Sequence, residues 1–148
     1  MLGLRPESVK EVDRYGFRPL DIASAHGHTQ IVKEIMTMST GNEICGMKGR
    51  DGRTAIHHAA INGKVEIIDE LLSSWGDCIK DVTALGETAL HLSVKFYKFE
   101  AFRKLINWLE ILGMEEPVNS GDEDGNTVMH LAVSRKQHEL YLYKSYKI

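Results

Sequence analysis

The sequence has little that would assemble a reaction centre. Its two cysteines, Cys45 and Cys78, are too few for a disulfide framework or a four-thiolate zinc site. Neither has an adjacent basic residue to stabilise a thiolate nucleophile, so partly buried, reduced thiols in a reducing compartment are expected. The chain has no phosphate-cradling G-x-x-x-x-G-K-[ST] loop and no G-x-S-x-G elbow. No window approaches the roughly 18 apolar residues of a membrane span. The opening "MLGLRPESVKEV" lacks the apolar run of a secretory signal. A concentration of positive charge is missing too: net charge is -3, and Lys and Arg are scattered, which removes the pull toward nucleic acid. What remains is 148 residues, 43% hydrophobic and 26% charged, enough to bury a core and ordinary for a cytoplasmic globular chain.

What is present is a repeat. Four segments align on glycine: "GFRPLDIASAHGHTQIVKEIM" from Gly16, "GRTAIHHAAINGKVEIIDELL" from Gly52, "GETALHLSVKFYKFEAFRKLI" from Gly86 and "GNTVMHLAVSRKQHELYLY" from Gly125. The spacings are 36, 34 and 39 residues, a period that marks a repeat architecture. Two residues after each glycine stands Arg18, Thr54, Thr88 or Thr127. Three further on stands Asp21, His57, His91 or His130, followed after one residue by a small one: Ala23, Ala59, Ser93 or Ala132.

Each unit reads as a turn and two short helices. The glycine supplies a left-handed turn position, and threonine caps the first helix by accepting from its orphan backbone N–H groups. Pro19 suits a first helical turn. Gly27 and Gly63 end the first helix. The second helix carries an apolar stripe, Ile31, Val32, Ile35 and Met36 in one unit and Val65, Ile67, Ile68, Leu71 and Leu72 in the next.

These residues resemble the ankyrin repeat, whose core reads G-x-T-P-L-H-x-A-A-x-x-G-H; "GRTAIHHAAINGK" is closest, and the likeness runs from about Tyr15 to Glu139. The phrases "IKDVTALGETALHLSVK" and "DEDGNTVMHLAVSRKQ" are similar to plant ankyrin proteins of the membrane-anchored PGG-domain family, associated with defence and stress signalling. The resemblance implies an all-α solenoid of helix-turn-helix units joined by short β-hairpin-like loops. It implies the boundaries 1–14 (tail of a preceding repeat), 15–50, 51–84, 85–123 (with a longer second helix) and 124–148 (incomplete or divergent). It also implies a structural task for His57, His91 and His130, bonding to the capping threonine and the adjacent turn. Rings one repeat apart, about 10 Å, cannot share a zinc at ~2.0–2.1 Å. His58, whose counterparts are Ile22, Leu92 and Leu131, reads as a core-facing ring. The departures are Arg18 and Asp21 for Thr and His, and Tyr97 and Lys136 for the inter-helix glycine.

The implied function is non-enzymatic: a module that holds another protein in a concave groove, in plant defence or stress signalling, with no metal and no cofactor. The family's contact positions fall on Arg14, Tyr15, Phe17 and His26 in the first unit, and Arg50, Asp51, Arg53, Ile61 and Asn62 in the second. In the third they are Leu85, Glu87, Lys95 and Phe96, and in the fourth Glu123, Asp124, Asn126, Ser134 and Arg135. Phe17 and Phe96 are aromatic where the fold does not ask for it. The tips change sign, from Arg14, Arg50 and Arg53 to Glu87, Glu123 and Asp124. The acidic run "GDEDG" is similar to a calcium loop but lacks its twelfth-position glutamate. Two competing readings are a soluble remnant of a membrane-bound signalling protein, with little activity alone, and a metal-dependent hydrolase built on the repeated histidines.

The ends are read as broken. "ESVKEVDRYG" parallels "DCIKDVTALG", a repeat tail without its helices. "LYLYKSYKI" departs from the family, and is read as a truncation before the PGG domain that the resemblance implies. Uncapped ends, with Leu140, Leu142 and three tyrosines at one of them, are expected to expose apolar surface and to invite self-association. The chain on its own reads as cytoplasmic, and as lying at the cytoplasmic face of a membrane if a PGG domain follows.

Overall fold

The computed structural model describes residues 6–38 and 41–140. Among them every regular element is helical. In chain order these are α1 (Pro19–His26), α2 (Thr29–Met36), α3 (Gly41–Cys45), α4 (Ala55–Ile61), α5 (Val65–Ser74), α6 (Ala89–Lys95), α7 (Phe99–Leu112), α8 (Glu116–Asn119) and α9 (Val128–Ser134). Tight 3-10 turns cover Pro6–Lys10, Arg50–Gly52 and Gly76–Lys80. The first helices α1, α4, α6 and α9 stack in one layer, and the second helices α2, α5 and α7 in another. This is the all-α solenoid expected from the repeat.

The chemistry of each layer explains the stacking. In the first layer Ala23, Ala59, Ser93 and Ala132 are all buried, so the helix backbones approach closely with no side chain between them. In the second layer Val32, Ile35, Ile67, Ile68, Leu71, Phe102, Leu105 and Ile106 are sealed from water. Burial of each such side chain contributes about 1.5–3 kcal/mol before chain entropy is counted. The α7 helix is the longest at 14 residues, as its sequence suggested, and Gly113 stops it in the left-handed conformation (φ 67°). A short turn follows each second helix and closes the core from below, burying Ile44 and Cys45, then Cys78 and Ile79, then Pro117 and Val118. Val9 in Pro6–Lys10 does the same, so the parallel between "ESVKEV" and "DCIKDV" is one of structure as well as of sequence.

The connection between first and second helix demands a left-handed residue. Gly27 (φ 74°) and Gly63 (φ 67°) supply it without strain. Tyr97 (φ 59°) and Lys136 (φ 57°) take the same conformation against their own Cβ atoms. The fold therefore imposes the turn even where the sequence has lost its glycine.

Leu140 corrects one expectation. It is 2% exposed and packed into the core rather than presented to solvent, and residues 138–140 are helical. Tyr141, Leu142 and the tyrosines beyond lie outside the described residues. Cys45 and Cys78 are each 1% exposed, more deeply buried than expected. The hydrogen bond with Cys45, and after it burial, hold Cys78 well above the usual thiol range.

Candidate interaction surface

The surface is built on the loops that open each unit. Every loop is closed by a backbone hydrogen bond across five residues: Asp13 N–H to Phe17 O, Gly49 to Arg53, Thr83 to Glu87, and Asp122 to Asn126, at 2.8–2.9 Å. The loops are also joined to one another. Arg50 N–H donates to Gly16 O (3.1 Å), Ala84 N–H to Asp51 O (3.0 Å), and Glu123 N–H to Leu85 O (2.9 Å). The result is a continuous row of tips in fixed register, each offering two or three side chains to solvent.

Below the tips, histidines lock unit to unit. Thr88 and Thr127 hydroxyls accept from the backbone N–H of His91 and His130. The imidazole Nδ1 atoms of His57, His91 and His130 accept in return from the backbone N–H of Thr54, Thr88 and Thr127, at 2.9–3.1 Å. Nε2 of His57 then donates to Asp81 O (2.9 Å), at the end of its own unit, and Nε2 of His91 to Asn126 O (2.8 Å), in the following one. Burial pushes the His57 ring down to about 4, so it stays neutral, as an accepting Nδ1 requires. Both nitrogens of His57 and His91 are thus engaged, and neither has a lone pair to give a metal. In the first unit Asp21 takes over: its Oδ2 accepts from Arg18 N–H at 3.0 Å, and burial raises the carboxyl to about 6.

The expected contact residues separate into two groups. Arg14, Tyr15, His26, Arg50, Asp51, Asn62, Leu85, Phe96, Glu123, Asp124 and Ser134 are exposed, while Phe17, Arg53, Ile61, Lys95, Asn126 and Arg135 are half-buried. Glu87 departs from the tip position assigned to it. It is 3% exposed, accepts from Thr83 Oγ1 and pairs with Lys95 Nζ at 2.6 Å. Both charges are consumed internally, so the acidic end of the row rests on Glu123 and Asp124. Asn126 contributes its backbone to the fold through the carbonyl that binds His91.

Two halves result. Over the first two units stand Arg14, Arg50 and Arg53; Arg53 shares a cavity with Phe17, whose ring meets the His58 imidazole edge-on with centroids 5.6 Å apart. Over the last two, Leu85, Phe96 and Tyr97 are 45%, 40% and 61% exposed, and Arg135 lies 5.8 Å over the Tyr97 ring. Tyr97 was not among the expected contacts; its place at a loop where glycine is usual was the available signal.

A stack of helix pairs with a registered row of variable side chains defines a repeat scaffold for holding another macromolecule. A family model described as Ankyrin repeats (3 copies) matches residues 20–108. The chain belongs to the ankyrin-repeat family, whose members serve as protein–protein interaction modules. It is 25% identical over 124 residues to the nuclear factor NF-kappa-B p105 subunit of Mus musculus, covering 84% of this chain and 12% of that protein. To the p105 subunit of Gallus gallus it is 26% identical over 128 residues, 86% of this chain and 12% of the relative. To a Caenorhabditis elegans transient receptor potential cation channel subfamily A member 1 homolog it is 32% identical over 112 residues, 75% of this chain and 9% of the relative. The chain therefore spans about a tenth of the length of the curated relatives it matches. No helix among the described residues is long and apolar enough to cross a membrane.

Proposed function

We propose that this chain holds a protein partner along its row of tips and the adjoining ends of the first helices, without chemistry of its own. The observation that supports this reading is the set of costly side chains the fold does not use. Leu85, Phe96 and Tyr97, all in the third unit, stand in water, and Arg53 has no ion pair among the described residues. Aromatic and arginine side chains of this kind concentrate interface energy. The polarity from Arg14 and Arg50 to Glu123 and Asp124 would fix the direction in which a partner lies. The phrases around Gly86 and Gly125 favour a place in plant defence or stress signalling, beside membrane-anchored relatives.

The test is a captured partner measured against Phe96→Ala, Arg53→Ala and the double variant, with circular dichroism as control. Each single change should weaken binding about tenfold or more with the helical signal intact, in keeping with interface hot spots of 2 kcal/mol and above. Undiminished binding in the double variant would place the interface on another face.

A further inference from the structure

One part of the surface is specific enough to name its occupant. Between α1 and α4 lies an open cavity of about 290 Å³, with Phe17, Asp21 and Ile22 on one wall and Arg53, His58 and Ile61 on the other. His58 is only 6% exposed, yet its Nε2 has no hydrogen-bond partner among the described residues. The buried Nε of Arg53 is likewise unpartnered. Arg53 and His58 therefore both line one small cavity, and each carries a buried nitrogen with unused hydrogen-bonding capacity.

A buried polar group left without a partner costs about 1–3 kcal/mol. The fold does not require that cost here, because the same helix position holds Leu92 in the third unit and Leu131 in the fourth. Nearby carboxylates do not meet the demand. Asp21 Oδ2 is occupied by Arg18 N–H, and Asp51 lies toward Arg50, 3.9 Å from its Nε. A guanidinium with a fork of donors, a neutral ring that can present an N–H, and apolar walls from Phe17, Ile22 and Ile61 match a carboxylate on a short aliphatic stem.

We propose that this cavity receives an acidic side chain, glutamate or aspartate, carried on the polypeptide held along the tips. Arg53 is its charge partner and His58 its second donor. The proposal rests on the protein-binding reading above and adds the chemistry of one residue of the partner.

The test uses the full chain labelled with 15N and two capped tripeptides, Ac-Ala-Glu-Ala-NH2 and Ac-Ala-Gln-Ala-NH2. The glutamyl peptide should shift the His58 ring nitrogens and Arg53 Nε saturably, and the glutaminyl peptide should bind at least tenfold more weakly. Arg53→Gln should bring the glutamyl peptide down to that weaker level. His58→Leu should raise the melting temperature while loosening the glutamyl peptide several-fold, a combination that a purely structural histidine would not give. Equal responses to the two peptides in the unmodified chain, or an Arg53→Gln affinity within twofold of the original, would overturn the proposal. If that happens while Phe96→Ala still weakens a captured partner, the protein-binding reading stands and only this subsite falls.

Discussion

The first and third units solve one problem with different residues. In the third, His91 Nδ1 accepts from Thr88 N–H at 3.1 Å, and Nε2 donates to Asn126 O in the next unit at 2.8 Å. In the first, Asp21 Oδ2 accepts from Arg18 N–H at 3.0 Å, and Arg18 Nη1 donates to Lys48 O at 3.0 Å. One imidazole does in the third unit what a carboxylate and a guanidinium share in the first. What repeats along this chain is a pair of hydrogen bonds, one closing the cap and one reaching forward, and the residues that make them are replaceable. The replacement has consequences next door. Where the following tips begin with Thr83 and Asp122, whose side chains each accept two backbone N–H groups, the tip after the first unit begins with Gly49. A Cβ there would lie 2.7 Å from Gly16 O and 3.4 Å from Asp21 Oδ2.

The comparison can be broken first in the third unit. His91→Ala deletes both bonds and leaves the Asn126 carbonyl and the Thr88 N–H without their partner; we expect a loss of about 2–3 kcal/mol in a denaturant titration. Gly49→Ala attacks the crowded tip and should cost about 1–3 kcal/mol, because the opposing atom is backbone and cannot rotate away. Arg18→Ala removes the forward bond of the first unit together with the bond from its Nε to Lys10 O (2.9 Å), at about 1–2 kcal/mol. The pair Arg18→Thr with Asp21→His should recover most of that loss, and failure to recover it would mean that the two solutions are not equivalent. The smallest expected effect has the opposite sign. Tyr97→Gly relieves a left-handed tyrosine and should raise stability by about 0.5–1 kcal/mol, read as a higher urea midpoint with an unchanged slope.

The sequence carried the phase of the repeat, the capping threonines and the role of the histidines, because those depend on short-range spacing that the fold reproduces. It also carried the deep stripe of α5, in which Ile67, Ile68, Leu71 and Leu72 are all buried. It misplaced Glu87, since nothing in the order of residues says that Lys95 comes within 2.6 Å of it. It treated Arg18 and Asp21 as departures, since their cooperation runs through Lys48, thirty residues away from Arg18. His58 was read as a core ring, which its burial supports, but its missing partner is a property of the surrounding packing and has no local signature. Gly49 was silent for the same reason: its necessity lies in the approach of Gly16.

The row of single hydrogen bonds between successive tips also sets how the molecule would yield under load. Arg50 to Gly16, Ala84 to Asp51 and Glu123 to Leu85 are bonds between neighbours, so tension applied at the two ends meets them in series. A chain of equal links in series fails one at a time from the weakest, rather than all at once. With a period near 34 residues and roughly 3.4 Å gained per residue on stretching, each event would release about 115 Å of contour. The fold would then behave as a shock absorber with discrete steps, its first step set by whichever unit has the poorest cap.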